Sequence, residues 1–353
     1  MAYTTIDDPS AYFKVQLYTG NGSTNAITFN DTDTDMQPDW VWLKNRNSSG
    51  HDHFLFDAAN GVQKFLSSND TGALAAADSS YLTAFNTDGF TLGSSDGMNE
   101  NTITFVSWNW KAGTAFSNDA SSTGVGSIDS SGSVSTTSGF SIIKWSGANA
   151  TSTVAHGLGV APKVLLVKSL ANTTTWMVQH TGIGNAKEIY LNNNSASGNS
   201  TAWNSTSPTT TVFTVTGGAG DGVNHSGDYI AYCFAEVKGF SKFGSYIGNA
   251  NANGAFVYTG FKPAWILIKS TGAGESWQIL DNKRSTFNPA DDILMADLAN
   301  DESAVSGRAT DFLSNGFKFR GTEGGTNTAA TYIYMAFAES PFVNSNGVPN
   351  NAR

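Results

Sequence analysis

Cysteine is nearly missing from this chain. Cys233 is the only one in 353 residues, so an intrachain disulfide is impossible. It lies in an apolar, strand-like run, where a lone thiol serves as a small buried hydrophobe. A reactive thiol needs a cationic or helix-terminal setting, and the neighbouring residues supply none. Charge is scarce too. Asp, Glu, Lys and Arg make up 14% of the residues, against about a quarter in ordinary globular chains. The formal net charge is −10, from 19 basic and 29 acidic residues, and no run of Lys or Arg occurs. Phosphate contacts require clustered cations, so nucleic acid is not an expected partner. No apolar run approaches the ~20 residues of a membrane helix, so no membrane partner is expected either. Met1 to Pro9 lacks the basic and apolar regions of a secretory signal, which points to synthesis in a reducing cytosol. Helical periodicity is weak everywhere; Ser285 to Ala299 and Ala73 to Ala77 are the best candidates, each for a turn or two.

What the chain does have is glycine (37 residues), aromatics (12%) and an apolar content of 39%. That suits a turn-rich β protein with a real core rather than a disordered one. A repeat organises it. Pro38 opens Pro-Asp-Trp-Val-Trp-Leu-Lys, Pro162 opens Pro-Lys-Val-Leu-Leu-Val-Lys, and Pro263 opens Pro-Ala-Trp-Ile-Leu-Ile-Lys. Lys44, Lys168 and Lys269 end the three runs. A second apolar run begins at Phe105, Tyr229 and Tyr332, which lie 67, 67 and 69 residues after the respective prolines. Spacing this regular marks three diverged copies of one β-module, each of ordinary domain size.

The Pro-initiated strand is apolar on both pleat faces. In the second copy Val164, Leu166 and Lys168 share one face, while Leu165 and Val167 share the other. A strand buried on both sides has this pattern, and proline is tolerated at its first position. The Lys is expected where the strand leaves the core. Trp176 and Trp277, each fourteen residues after its proline, open a further short run, with His53-Phe-Leu-Phe-Asp57 as the counterpart in the first copy. Asp88-Gly89 and Asn315-Gly316, between alternating apolar residues, predict hairpins. Tyr18-Thr19-Gly20, Trp145-Ser146-Gly147 and Tyr258-Thr259-Gly260 align as one aromatic strand and turn.

The expected organisation is therefore all-β: three tandem antiparallel β-sandwich modules, lectin-like or jelly-roll-like. A polar leader covers 1–10, modules cover 11–113, 140–239 and 240–343, and a frayed tail covers 344–353. Residues 114–139, almost pure Ser, Thr, Gly, Ala and Asp, predict a linker. The second and third modules are expected to pack rigidly, with the first more separate.

No catalytic constellation emerges. Asp31-Thr-Asp-Thr-Asp35 has the opening spacing of a calcium loop, but Met36 replaces its glycine and Trp42 its bidentate Glu, which excludes an EF-hand. A weak surface cation site there stays open. His51-Asp-His53 has no third ligand nearby and is read as an exposed hairpin tip. No Gly-x-Ser-x-Gly elbow occurs. Gly217 to Gly222 lacks the Lys and Ser/Thr of a phosphate loop. Asp291-Asp292 fits a loop or helix start better than a glycosidase pair. No catalytic residue, metal or cofactor is nominated. Most tryptophans fall in strands and read as core. Trp203 is different: it stands among Asn and Ser in the loop Asn192 to Ser207. Trp203, Asn204 and Asn193 are the candidate ligand-binding residues, with a ring to stack on a sugar face and amides to meet its hydroxyls. The competing reading is that this loop and Gly321 to Asn327 merely cap the sandwich.

The opening Asp-Asp-Pro-Ser-Ala-Tyr-Phe, the Pro38 run, Thr-Asp-Gly-Phe-Thr-Leu-Gly, Trp-Asn-Trp-Lys-Ala-Gly, Gly-Phe-Lys-Pro-Ala-Trp-Ile-Leu-Ile-Lys and the Tyr332 run resemble a family of repeat-built virion proteins of marine bacteriophages. His156-Gly-Leu-Gly-Val-Ala-Pro162 resembles a turn motif of phage tail fibres. The resemblance spans nearly the whole chain outside 114–139 and the tail. It implies a virion surface protein, first of all a tail fibre or receptor-binding appendage contacting host-surface glycan. A capsid-decorating protein or head fibre is the alternative, then a tail-tube or baseplate part. A polysaccharide-degrading spike is the enzymatic alternative. Other virion proteins and a homotrimer are the partners this implies.

Overall fold

The computed structural model describes residues 3–29, 34–217, 223–272 and 274–351. Strands account for 41% of the residues and helices for 4%, which establishes an all-β, sandwich-type chain. The first repeat holds β1 (Phe13–Thr19), β2 (Asn25–Thr28), β3 (Trp40–Asn45), β4 (Phe54–Asp57), β5 (Leu82–Asn86), β6 (Gly89–Leu92) and β7 (Thr104–Trp110). Then come β8 (Thr114–Asn118) and β9 (Ser130–Ser135). The second repeat holds β10 (Phe140–Ser146), β11 (Ser152–Ala155), β12 (Val164–Ser169), β13 (Met177–His180), β14 (Lys187–Tyr190), β15 (Gly198–Asn199), β16 (Val212–Val215) and β17 (Asp228–Phe234). The third holds β18 (Ser241–Ile247), β19 (Phe256–Tyr258), β20 (Phe261–Ser270), β21 (Gln278–Asp281), β22 (Asp292–Met295), β23 (Ser303–Ala304), β24 (Thr310–Leu313), β25 (Gly316–Phe319) and β26 (Thr331–Pro341).

One pairing order recurs. The large sheets run β1-β7-β3-β4, β10-β17-β12-β13-β14-β15 and β18-β26-β20-β21-β22-β23, each faced by a small sheet: β2-β6-β5, β11-β16 and β19-β25-β24. The register agrees with the order. Trp40 lies opposite Trp110, Val164 opposite Phe234 and Trp265 opposite Phe337. The first strand of each repeat ends on an aromatic pair with the closing strand. Tyr18 stacks on Phe105 at 5.1 Å, Trp145 on Tyr229 at 5.5 Å and Tyr246 on Tyr332 at 4.9 Å. The equivalent of Tyr18-Thr19-Gly20 in the third repeat is therefore Tyr246-Ile247-Gly248. The alignment with Tyr258-Thr259-Gly260 was off by one strand, because Tyr258 belongs to β19.

The double-faced apolar pattern of the Pro-initiated strand has a specific cause. One face fills the sandwich of its own repeat: Val41 and Leu43, Leu165 and Val167, Ile266 and Ile268 sit in three separate cores. The opposite face fills a fourth core that all three repeats share: Trp40 and Trp42, Val164 and Leu166, Trp265 and Leu267. Rings meet there across every boundary. Trp40 lies 4.4 Å from Tyr232, Trp110 5.5 Å from Trp265, Phe13 5.1 Å from Phe337, and Phe234 5.9 Å from Phe337. Each fully buried side chain of this kind contributes about 1.5–3 kcal/mol of transfer free energy. The first repeat is thus not separate; it packs against both others.

Backbone bonds close the arrangement into a ring. Thr174 N donates to Thr71 O (2.9 Å), Gly274 N to Asn194 O (3.1 Å) and Gly50 N to Ala299 O (3.1 Å). These run from the second repeat to the first, the third to the second, and the first to the third. Leu74 N to Leu170 O, Ser197 N to Thr271 O and Glu302 N to Arg46 O answer them in the reverse sense.

Other expectations need correction. Residues 114–139 are not a linker: β8 and β9 extend the second large sheet beyond β10. Small polar side chains suffice there because β10 offers an open backbone edge, while Phe116, Ile128 and Val134 anchor the hairpin on the second core. The leader is tied down by Thr4 Oγ1 to Lys238 O (2.8 Å) and by Ile6 in the shared core. The described part of the tail is held by Asn350 N to Phe342 O and by Ser345 on Asp7. Asp292 to Met295, within a candidate helix, is strand β22, and residues 73–77 are irregular.

Candidate binding site

Trp203 is fully buried in the second repeat's own core, so it cannot stack on a ligand. Polar neighbours in sequence concealed this. Thr216 bonds to Ala202 O and Thr201 O, drawing the short Ala202-Trp203 segment against the sandwich. Asn204 is exposed in the following turn at φ 48°. Asn193 is half-buried, its Oδ1 accepting from Ser195 N, in the loop that packs against the third repeat. The three residues do not form one site. Within Gly321 to Asn327, Asn327 is fully buried and donates to Asn251 O and Gly321 O, while Thr322 and Glu323 are exposed.

His53 is not at an exposed tip. It is fully buried, with Nδ1 accepting from Trp42 Nε1 (2.8 Å) and Nε2 donating to Met295 O (3.0 Å) in the third repeat. Trp176 Nε1 donates to Ser67 O (2.7 Å) and Trp277 Nε1 to Tyr190 O (2.8 Å), so all three residues do the same work in the ring. Among the described residues no group of three His, Cys, Asp or Glu could hold a metal. Asp31 to Asp33 lie outside the described residues.

Lys44, Lys168 and Lys269 are also buried rather than at the core's exit. Lys44 Nζ bonds to His51 O and Ala299 O, Lys168 Nζ to Thr71 O, and Lys269 Nζ to Ser270 O. Burial pulls each ammonium down to about 8, opposed by carboxylates such as Asp301, Asp70 and Asp297. Between the first and third repeats, buried Arg284 bonds to Asp281 (2.6 Å) and Glu302 (3.0 Å), and Trp108 Nε1 donates to Asp281 (3.0 Å). These groups all bond across or beside repeat boundaries, which is a structural role.

An open cavity of about 700 Å³ lies where the β8–β9 hairpin meets the end of β10. Ser117, Ser131, Asp129, Lys144 and Asp228 line it. A second space of about 250 Å³ shares Lys144 and Asp228 and reaches Asn60 and Lys64 of the first repeat. Lys144 Nζ donates to Ala59 O (3.2 Å), Asp228 accepts from Ser146 Oγ (2.6 Å), and Asp129 accepts from Ala120 N (2.9 Å). The groove offers hydroxyls and carboxylates with one engaged cation, which suits hydrogen bonding to a polyhydroxylated ligand. It is special to the second repeat because the hairpin is.

Sequence reasoning missed three buried asparagines. Asn99, Asn224 and Asn327 hold the turn after the first strand of each repeat, accepting from the backbone N–H of Asn21, Ala148 and Asn249. The available signal was their spacing: each precedes its closing aromatic, Phe105, Tyr229 or Tyr332, by five or six residues.

A family model described as "Domain of unknown function (DUF7483)" matches residues 8–341. The chain belongs to this DUF7483 family. No curated protein and no solved structure matches it. The matched span starts just before β1 and ends on the last residue of β26, so the DUF7483 unit takes in the whole ring rather than one repeat.

Proposed function

We propose that the protein is a binding component on the surface of a bacteriophage particle, a tail fibre or receptor-binding appendage that contacts host-surface glycan. The observation that most supports this reading is the closed ring of three interlocked repeats. Both faces of each Pro-initiated strand are consumed by packing. What remains for a partner is the loops and the hydroxyl-rich groove at Lys144, carried on a rigid body. The likeness to marine-phage virion proteins supplies the particle.

A homotrimer was the assembly the sequence suggested. Within one chain three repeats already form a ring, so the unit we propose is a single chain, with other virion proteins as its neighbours. The ring also favours a second reading, capsid decoration, because one copy could seat on a threefold point of a shell.

The test is location on purified particles, by cryo-electron microscopy with a bound antibody fragment. Density at the distal tail supports the first reading and density on the shell the second. Absence of the protein from purified particles overturns both.

A further inference from the structure

The three repeats act as controls for one another, and two buried glutamines break their apolar pattern. Gln278, where the other repeats have Phe54 and Met177, is bonded to Ser276 O and Arg308, whereas Gln179 is left half-satisfied. Phe56 pairs with Val41, and Leu280 with Ile266, each fully buried in its own sandwich core. The matching residue of the second repeat, opposite Leu165, is Gln179. It is 5% exposed, and its Oε1 has no partner among the described residues. Its amide nitrogen reaches only Thr206 O, at 3.4 Å. A buried amide left half-satisfied costs free energy that Phe or Leu at the same place does not.

Gln179 lines a pocket of about 150 Å³, with Pro162 and Pro208 as walls and Lys163, Thr181 and Asn185 around it. Asn185 Nδ2 bonds to Ser205 O (2.7 Å) and Ser207 Oγ (3.2 Å), fixing the loop that forms one side. Buried Trp203 anchors the same loop through Thr206 N to Trp203 O (2.9 Å). At about 30 Å³ per water, the space holds roughly five waters, the size of one sugar ring. No carboxylate lines it, and Lys163 brings an exposed cation to its edge.

We propose that this pocket binds one pyranose unit carrying a carboxylate. A ring hydroxyl donates to the Gln179 amide, the C–H face lies on the prolines, and the carboxylate meets Lys163. That the ligand is a sugar rests on the attachment reading above; the unsatisfied Gln179 does not.

The test uses the full chain with galacturonic acid and galactose as probes, read by saturation-transfer NMR and titration. Galacturonic acid should bind at roughly millimolar affinity. Gln179→Leu installs the third repeat's residue, so it should keep or raise the unfolding midpoint while weakening binding at least tenfold. Lys163→Ala should fold normally and abolish the preference for galacturonic acid over galactose. The proposal is overturned if neither sugar binds, or if a folded Gln179→Leu binds as well as the parent chain. If Gln179→Leu loses the sugar but adsorption to host cells is unchanged, the pocket stands and the attachment reading falls.

Discussion

At the scale of single residues, the ring is held by polar side chains placed where only one orientation satisfies them. Asn224 Oδ1 accepts from Ala148 N and Trp145 Nε1, and its Nδ2 donates to Ala150 O and Ser152 Oγ. The glycine beside each latch is equally constrained, since a Cβ on Gly20, Gly147 or Gly248 would run into the carbonyl oxygen of Glu100, His225 or Thr328. Asn224→Ala leaves buried groups unpaired and should cost about 3 kcal/mol, read by denaturant titration; a loss well under 1 kcal/mol would show the latch to be incidental. The lysines make a pH prediction. Lys44, Lys168 and Lys269 titrate at about 8 when folded and near 10.4 when unfolded. Between those values the unfolded chain holds more protons, so stability should rise as pH climbs from 8 toward 10 and fall on the way back down. Lys168→Met should make that slope shallower without lowering the midpoint at pH 7, because Thr71 O keeps its bond from Thr174 N. An unchanged slope would mean that Lys168 is not a buried titrating group. Beyond the spacing of the asparagines before their closing aromatics, these roles are not legible in the sequence. Asn and Gly are common in this chain, and whether a Lys at a strand's end meets water depends on a neighbouring repeat that its own sequence does not describe.

At the scale of elements, the sequence was most informative where packing is local. The double-faced Pro-initiated strands and the Asp88-Gly89 and Asn315-Gly316 hairpins all form as their patterns require. It misled where a partner strand supplies what composition lacks. Thr114 to Ser135 has linker chemistry, yet its backbone groups pair with each other and with β10. Trp203 failed in the opposite sense: a polar loop carried a buried ring, because two flanking residues are enough to anchor it. The hairpin has no counterpart in the other repeats, which fold with β1 and β18 as sheet edges. Replacing residues 114–135 by a short Gly-Ser linker should therefore leave a folded protein with a lower midpoint, having lost the anchoring of Phe116 and Val134. Circular dichroism and a melting curve would read this. Loss of the cooperative transition would show instead that the hairpin is integral to the second sheet.

At the scale of the molecule, the shared core decides how the protein must unfold. Phe140, Val164, Leu166, Trp176, Tyr232 and Phe234 of the second repeat are buried only because the other repeats cover that face. A repeat that left the ring would expose that surface and break backbone bonds on two boundaries, so no repeat should persist alone. The repeats have the length of independent domains, but their second apolar face makes them parts of one cooperative unit. Calorimetry should accordingly show a single endotherm with matching calorimetric and van't Hoff enthalpies. Trp40→Ala, at the meeting point of the first and second repeats, should cost about 3–5 kcal/mol and move that one transition as a whole. Native-state hydrogen exchange then gives the sharper reading. The slowest amides of β7, β17 and β26 should share one opening free energy and fall together in Trp40→Ala. If only β7 weakened while β17 and β26 kept their protection, the three repeats would be separate domains in contact, and the ring would not be the unit that folds.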